Sequence, residues 1–104
     1  MLPKNRITTH PGEVLQTEFL GPLDVSQSEL ARHIGVMPGV INELVHGKRG
    51  VSPRLAVMLS QALGTSPEFW MGLQADHDVS KLMQRRDKSR VREIPLMTQS
   101  RPAG

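Results

Sequence analysis

Apolar residues recur at intervals of three or four along most of the chain, the spacing that places side chains on one face of an α-helix. No segment that alternates apolar and polar residues is also enriched in β-branched residues, and the Asn-Gly and Asp-Gly pairs that mark tight hairpins are missing. The pattern therefore predicts an all-α fold.

The first predicted helix begins after residues 10–12, a His-Pro-Gly sequence. Gly21-Pro22 is expected to end it, because glycine accepts the left-handed conformation of a helix cap and proline cannot extend a helix. The residues expected to face inward are Val14, Leu15 and Phe19.

The second predicted helix has the strongest start signal in the chain. Ser26 is a suitable N-cap and Glu29 follows three residues later, which together form a capping box. Val25 and Leu30 flank this cap as a hydrophobic staple, and Gly35 is expected to end the helix. The apolar face of the helix consists of Leu30, Ala31 and Ile34.

Three more helices follow. The third covers residues 38–45, with Ile41 and Leu44 facing inward. A serine followed by proline begins the fourth at Ser52 and the fifth at Ser66, because a capping hydroxyl and a proline in the first turn both favour a helix start. The apolar residues of these last two helices are Leu55, Leu59, Ala62, Leu63, Phe69, Trp70, Met71 and Leu73.

Charge divides the chain into two parts. Residues 1–78 contain six Lys or Arg and eight Asp or Glu, a net charge of −2, whereas residues 79–104 contain seven and two, a net charge of +5. We predict a domain over 1–78 and a basic extension over 79–104, with a sixth helix over 80–92 ended by Pro95 and disorder over 98–104. Such a tail suits nucleic acid or an acidic protein as partner, or it is a solvated end segment.

Length and composition narrow the class of protein. The 104 residues suit one small domain, and the absence of cysteine excludes disulfides and cysteine-ligated zinc. The longest apolar run, residues 55–59, is far shorter than the roughly 20 residues that span a membrane. No signal peptide is recognisable, so we expect a soluble protein of the cytoplasm.

Catalytic and metal-binding patterns are missing from the sequence. The four histidines lie in different segments, and no His-Glu-x-x-His, phosphate loop, nucleophile elbow or paired-carboxylate site is recognisable. Asp76-His77-Asp78 is too compact to form a metal site on one helix. We therefore predict no enzyme, no metal and no cofactor.

The block of residues 27–46 has the pattern of a helix-turn-helix. The small Ala31 lets the two helices cross closely, and Gly35 supplies the turn between them. Ile41 and Leu44 pack the second helix against the first, which leaves its outer face available for a DNA major groove. The alternative is a helical bundle that has a glycine turn and binds no DNA.

Motifs on both sides of this block resemble one family. The sequence HPGE at 10–13, the block 27–46, GKR at 47–49, and GTSPEFW at 64–70 followed by Leu73-Gln74 closely resemble HigA-type antitoxins of the lambda-repressor-like (XRE) superfamily. The resemblance implies a five-helix lambda-repressor-like domain that dimerises on a palindromic operator and represses its own operon. It also implies an antitoxin that neutralises HigB, a RelE-like mRNA endonuclease toxin.

By this resemblance, the start and outer face of the third helix contact base edges. Asn42 can pair with adenine, and Glu43 can accept from a cytosine amino group. Gly39 either lets the backbone approach the bases or occupies a tolerant position, and Met37 departs from the Ser or Thr that is frequent at this cap. The predicted base-contacting residues are Met37, Pro38, Gly39, Val40, Asn42 and Glu43.

Phosphate contacts are expected mainly from cations around the same block. Gln27 matches the superfamily position that hydrogen-bonds a phosphate at a helix N-terminus. Four basic or histidine side chains follow within residues 46–54, which favours phosphate binding over ordinary solvated side chains. The predicted phosphate-binding residues are Gln27, Arg32, His46, Lys48, Arg49 and Arg54.

Phe69 and Trp70 are two of the three aromatic residues and stand together at the start of the fifth helix. They form either a dimer contact, since Trp and Met are enriched in interface cores, or part of the bundle core. The resemblance favours the dimer. The predicted dimer residues are Phe69, Trp70, Met71 and Leu73.

The predicted function is therefore an antitoxin and transcriptional autorepressor. Its predicted partners are palindromic operator DNA, a HigB/RelE-like toxin and a second copy of the chain, with no membrane. Two alternatives stay open: a transcriptional regulator without a toxin partner, and a protein-interaction module whose helix-turn-helix no longer binds DNA.

Overall fold

The structure is a computed structural model that describes residues 9–85 and 94–97. Five helices occur in these residues, and no strand is formed within the same ranges, which confirms the all-α prediction. Helix α1 combines three consecutive segments, Pro11–Val14, the π-helical Leu15–Leu20 and Gly21–Leu23. The other helices are α2 (Gln27–Ile34), α3 (Pro38–Val45), α4 (Pro53–Leu63) and α5 (Pro67–Arg85).

Helix α1 passes through the residues that were expected to end it. Its middle, Leu15–Leu20, is a π-helix, and the wider turn relieves the clash between the Pro22 ring and the preceding turn of an α-helix. Gly21 keeps a right-handed φ of −59°, and the left-handed cap is Asp24 at φ 56°. The prediction that the helix ends at Gly21-Pro22 is therefore wrong.

Serine caps begin α2, α4 and α5 as predicted. The Ser26 hydroxyl accepts from the Glu29 amide at 3.0 Å, and the Glu29 carboxylate accepts from the Ser26 amide at 2.8 Å, which completes the capping box. The hydroxyls of Ser52 and Ser66 accept from amides three residues later, at 3.2 and 3.0 Å. The bond from the Ser26 amide is the main cause of a lowered pKa at Glu29.

One hydrophobic core joins the helices. Trp70 is its largest fully buried side chain, and the indole Nε1 donates to the Thr65 hydroxyl at 2.7 Å. Phe19 packs against the indole with ring centroids 5.4 Å apart. The other buried apolar residues are Leu15, Leu20, Leu30, Ala31, Ile41, Leu44, Val51, Leu55, Ala56 and Leu59.

The start of α1 packs directly on the end of α3. Pro11 and Gly12 are both buried, and a Cβ on Gly12 would overlap the carbonyl oxygen of Leu44. Only glycine allows two backbones to approach this closely. The His10 side chain caps α1, because its Nδ1 accepts from the Gly12 amide at 2.9 Å.

Helix α5 crosses the predicted boundary after residue 78 without a break. It is continuous over Pro67–Arg85, so the prediction of a separate helix that begins at Ser80 is wrong. The Ser80 hydroxyl donates to the carbonyl of His77 at 3.1 Å, within the helix, instead of capping a new one. The predicted helix end at residue 92 and the predicted disorder over 98–104 lie outside the described residues.

Candidate nucleic-acid interface

Helices α2 and α3 form a compact helix-turn-helix. Gly35 ends α2 in the left-handed conformation at φ 84°, and the Val36 amide bonds to the Ala31 carbonyl at 2.9 Å, which closes the turn. Ala31 and Ile41 have no exposed surface, so the two helices are in close contact on this side.

The other side of α3 presents most of the predicted base-contacting residues to solvent. The exposed ones are Met37, Pro38, Gly39, Asn42 and Glu43. Val40 is half-buried and packs against the core. It is therefore the least accessible of the six residues.

Gly39 faces open space. A Cβ at this position would meet no heavy atom within 4 Å. Packing within the chain therefore does not require glycine here. Close approach to a ligand and simple tolerance stay the two explanations for this residue.

A hydrogen bond links a predicted base contact to a predicted phosphate contact. Asn42 Nδ2 donates to Gln27 Oε1 at 3.1 Å, between α3 and the first residue of α2. The bond occupies the acceptor of Gln27, whose amide nitrogen can still donate to a phosphate oxygen. The two side chains are therefore hydrogen-bonded to each other between the two helices of the helix-turn-helix.

An ion pair ties α3 to the loop that follows it. Arg49 donates from Nε and Nη2 to Glu43 Oε1 at 3.0 and 2.8 Å. The two side chains are 45% and 48% exposed, so solvent screens the pair and its net contribution to stability is about 0–1 kcal/mol. Glu43 retains Oε2 as an acceptor for a cytosine amino group, and the pair holds the Arg49 guanidinium beside the outer face of α3.

The remaining cations divide into two groups. His46, Lys48 and Arg54 are exposed at or after the end of α3, and His46 Nδ1 lies 2.8 Å from the Asn42 carbonyl oxygen. Arg32 instead lines a groove of about 500 Å³ beside α2 and the ends of α1 and α4. The structure therefore does not bring Arg32 together with the cations of the loop.

Trp70 cannot contact a second copy in this conformation. All of its surface is buried within the chain, so the core alternative holds and the dimer contact predicted for Trp70 is wrong. Phe69 is 39% exposed and stands edge-on to Trp70 at 5.0 Å between ring centroids. Met71 and Leu73 are half-buried against the core.

Two side chains from outside the helix-turn-helix lie at the loop after α3. Gln74 Oε1 accepts from the Val51 amide at 2.7 Å, and the His10 ring is close enough to the backbone of Arg49 for that backbone to act on its pKa. Neither residue was among the predicted site residues. Both lie in the segments that carry the family resemblance, HPGE and Leu73-Gln74, and this was the signal available in the sequence.

Burial lowers the pKa of His10 below 6.5, and the neighbouring His77 acts in the same direction. Over residues 9–85 and 94–97, no three histidine or acidic side chains are grouped so that they could hold a metal ion. Within those ranges, no helix combines the length and the apolar character needed to cross a membrane.

Two short helices joined at a glycine turn, with the second one exposed, define a helix-turn-helix protein. The sequence pattern of the family described as helix-turn-helix matches residues 18–70. The chain is also 36% identical over 93 residues to virulence-associated protein I of Dichelobacter nodosus, a match that covers 88% of this chain and 84% of that protein.

Solved structures of antitoxins share the whole fold. The Pseudomonas aeruginosa antitoxin HigA with the higBA promoter is 34% identical, with a TM-score of 0.80 over 89% of this chain and 100% of that one. The antitoxin GraA in complex with its operator is 31% identical, with a TM-score of 0.82 over 95% and 100%. The chain therefore belongs to the helix-turn-helix family and, within it, to the HigA-type members, as its motifs indicated.

Proposed function

We propose that this chain is the antitoxin of a type II toxin–antitoxin module and that it binds operator DNA to repress its own operon. The proposal rests on the exposed outer face of α3 between the Asn42–Gln27 pair and the loop cations. The HigA and GraA structures to which the chain is similar contain promoter or operator DNA. The chain acts by binding and not by catalysis, in the cytoplasm.

In this proposal α3 enters the major groove. Its exposed side chains contact base edges, with Asn42 on adenine as the strongest single contact. Gln27 and the cations Lys48, Arg49 and Arg54 bind phosphates on both sides of the groove, which supplies most of the affinity. His46 belongs to the same group, and Arg32 contributes least because it lies away from the loop.

A symmetric dimer would place two α3 helices about one DNA turn apart, roughly 34–36 Å, on a palindromic operator. Phe69 is the proposed contact, with Met71 and Leu73 beside it. This contact is supported by the partial exposure of Phe69, whose ring is large and apolar. Phe69→Glu should shift free protein from dimer to monomer in sedimentation while helix content stays normal.

The DNA-binding part is tested by titrating the protein into its own upstream DNA and into a scrambled duplex at several salt concentrations. We expect preference for the upstream DNA and a steep salt dependence. Lys48→Ala should weaken binding to both duplexes and lower the salt slope by about one. Equal affinity for both duplexes would contradict operator recognition.

The antitoxin part is tested by expressing the adjacent gene with and without this one. We expect growth arrest from the adjacent gene alone, and rescue when this chain is co-expressed. Growth without arrest would contradict the antitoxin role and leave a transcriptional regulator that has no toxin partner.

A further inference from the structure

The loop between α3 and α4, residues 46–52, carries cations proposed to bind phosphates. Close to α3 the loop is fixed by its own backbone, because the amides of Gly47 and Lys48 bond to the carbonyls of Leu44 and Glu43 at 3.1 and 2.8 Å. After Lys48, a side chain from a distant part of the chain binds the loop backbone.

Gln74 of α5 binds the far end of the loop. Its Oε1 accepts from the Val51 amide at 2.7 Å, and its Nε2 donates to Asp78 Oδ1 at 2.9 Å. A Cβ on Gly50 would lie 2.9 Å from Gln74 Oε1. The side-chain amide is therefore in close contact with the loop backbone and is itself oriented by Asp78.

His10 lies beside the same loop, at the start of α1. Its Nδ1 accepts from the Gly12 amide at 2.9 Å, and burial, followed by His77, lowers the pKa of the ring while Asp78 and the backbone of Arg49 act in the opposite direction. The ring of His77 meets it edge-on at 4.9 Å. The start of α1 and the Gln74–Asp78 segment of α5 therefore meet next to the loop.

We propose that Gln74 is a positioning residue for DNA binding. It fixes the loop backbone at Val51, next to Gly50, so that the Lys48 and Arg49 side chains start from a preformed loop when they reach phosphates. This inference rests on the proposed function, because it assumes that the loop faces DNA. Without this bond the loop backbone moves and its cations are displaced from the phosphates, so affinity falls and fewer phosphates are neutralised.

A purely structural role is the competing explanation. In that case the Gln74 amide only satisfies the amide of the buried Val51, and its loss lowers the stability of the fold without changing the DNA contacts of folded protein. The two roles differ in the salt dependence of DNA binding, because that slope counts the phosphates that the protein neutralises.

The test uses Gln74→Met, which keeps the length of the side chain and removes its hydrogen bonds. The matched control is Gln61→Met, an exposed glutamine on α4. Affinity for the upstream DNA is measured against salt at a temperature where circular dichroism shows every variant folded. We expect Gln74→Met to lower the salt slope by about one, and Gln61→Met to leave it unchanged.

A rescue variant separates positioning from general damage. Gln74→Glu can still accept from the Val51 amide but repels Asp78, so it should also lower the slope. Adding Asp78→Asn restores a donor beside the new carboxylate, and the double variant should regain the wild-type slope. Failure of this rescue, with the protein folded, contradicts the proposed geometry.

If Gln74→Met does not fold, Gln74→Glu and its rescue by Asp78→Asn carry the test. A lowered slope for Gln74→Glu that the double variant restores supports the proposal. If both Gln74 variants bind with the wild-type slope while Lys48→Ala lowers it, positioning is wrong and the phosphate contacts stand. If Lys48→Ala also keeps the slope, the proposed DNA contacts of the loop are wrong as well.

Discussion

Two helices of this protein begin with the same dipeptide, Pro-Gly, in opposite surroundings. Pro11-Gly12 begins α1 with both residues buried, and a Cβ on Gly12 would overlap the backbone of Leu44. Pro38-Gly39 begins α3 with both residues exposed, and a Cβ on Gly39 would meet nothing within 4 Å. Packing within the chain therefore requires glycine at the start of α1 and does not require it at the start of α3.

This contrast between buried and exposed positions extends to other residues. Buried groups such as Trp70 and the capped start of α1 hold the helices together. Polar groups such as Asn42, on the same helix as Gly39, are exposed to solvent. Substitutions at buried positions should mainly change stability, and those at the exposed positions of α3 should mainly change binding.

The largest expected effect is that of Gly12→Ala. The new methyl group overlaps a backbone carbonyl that cannot turn aside, so α1 and α3 must separate. We expect a loss of about 4 kcal/mol or more in the free energy of unfolding, which is most of the stability of a small domain. Urea denaturation followed by circular dichroism measures this loss. Stability close to wild type would show that α1 does not approach α3 this closely.

Asn42→Ala should have the next largest effect, mainly on binding. We expect about 1–3 kcal/mol weaker binding to the operator and a relaxed preference at one base pair. The loss in the free energy of unfolding should stay at about 1 kcal/mol or less, because the lost bond to Gln27 joins two exposed side chains. Titration of operator variants substituted at single base pairs measures both. Lys48→Ala is the control, because a phosphate contact is lost equally on every sequence. If Asn42→Ala also weakens binding uniformly, Asn42 does not contact a base.

Helix caps and turns were predicted correctly where they depend on residues close together in the sequence. The capping box at Ser26 and the left-handed Gly35 depend on residues a few positions apart, and both are present. Helix α1 continues through Pro22 by means of a π-helical turn, and the spacing of apolar residues does not predict such a turn. Similarly, the bond from Val51 to Gln74 joins residues 23 positions apart. Only the folded chain brings such pairs together.

The candidate site was predictable in outline for the same reason. The outer face of α3 follows from helical period and the turn at Gly35, and all of the predicted base-contacting residues except the half-buried Val40 are exposed. Their contact with bases stays a prediction. Which of two adjacent aromatic residues faces the core depends on the crossing of α5 over the bundle. The sequence therefore could not decide that Trp70 is buried and Phe69 partly exposed.

Gly39→Ala should have two smaller effects, one on stability and one on operator binding. Alanine favours a helix over glycine, and the site has room for the methyl group, so stability should rise by up to about 1 kcal/mol. If the α3 backbone approaches the bases here, operator binding weakens at the same time. Thermal unfolding and operator titration of the same variant distinguish the two explanations for this glycine. Increased stability with unchanged affinity would show that the position is merely tolerant.

The smallest expected effect is a pH dependence from His10, the residue that caps α1. Burial first, and then the charge of His77, hold the pKa of His10 below the 6.5 of an unfolded histidine, while Asp78 opposes them and Lys81 acts with them. The unfolded chain therefore binds more protons as the pH falls through 6.5. The contribution of His10 to stability is complete above that pH and is lost between 6.5 and the lower pKa of the folded state.

The physical reason is the acceptor at Nδ1, which the Gly12 amide needs and which protonation removes. Urea midpoints of the wild type and of His10→Asn, measured from pH 8 down to pH 5, isolate this contribution, because asparagine keeps the cap and does not titrate. The stability difference between the two proteins should be constant above about pH 6.5 and should shift against the wild type below it. Parallel curves over the whole range would show that His10 is not held neutral by its surroundings.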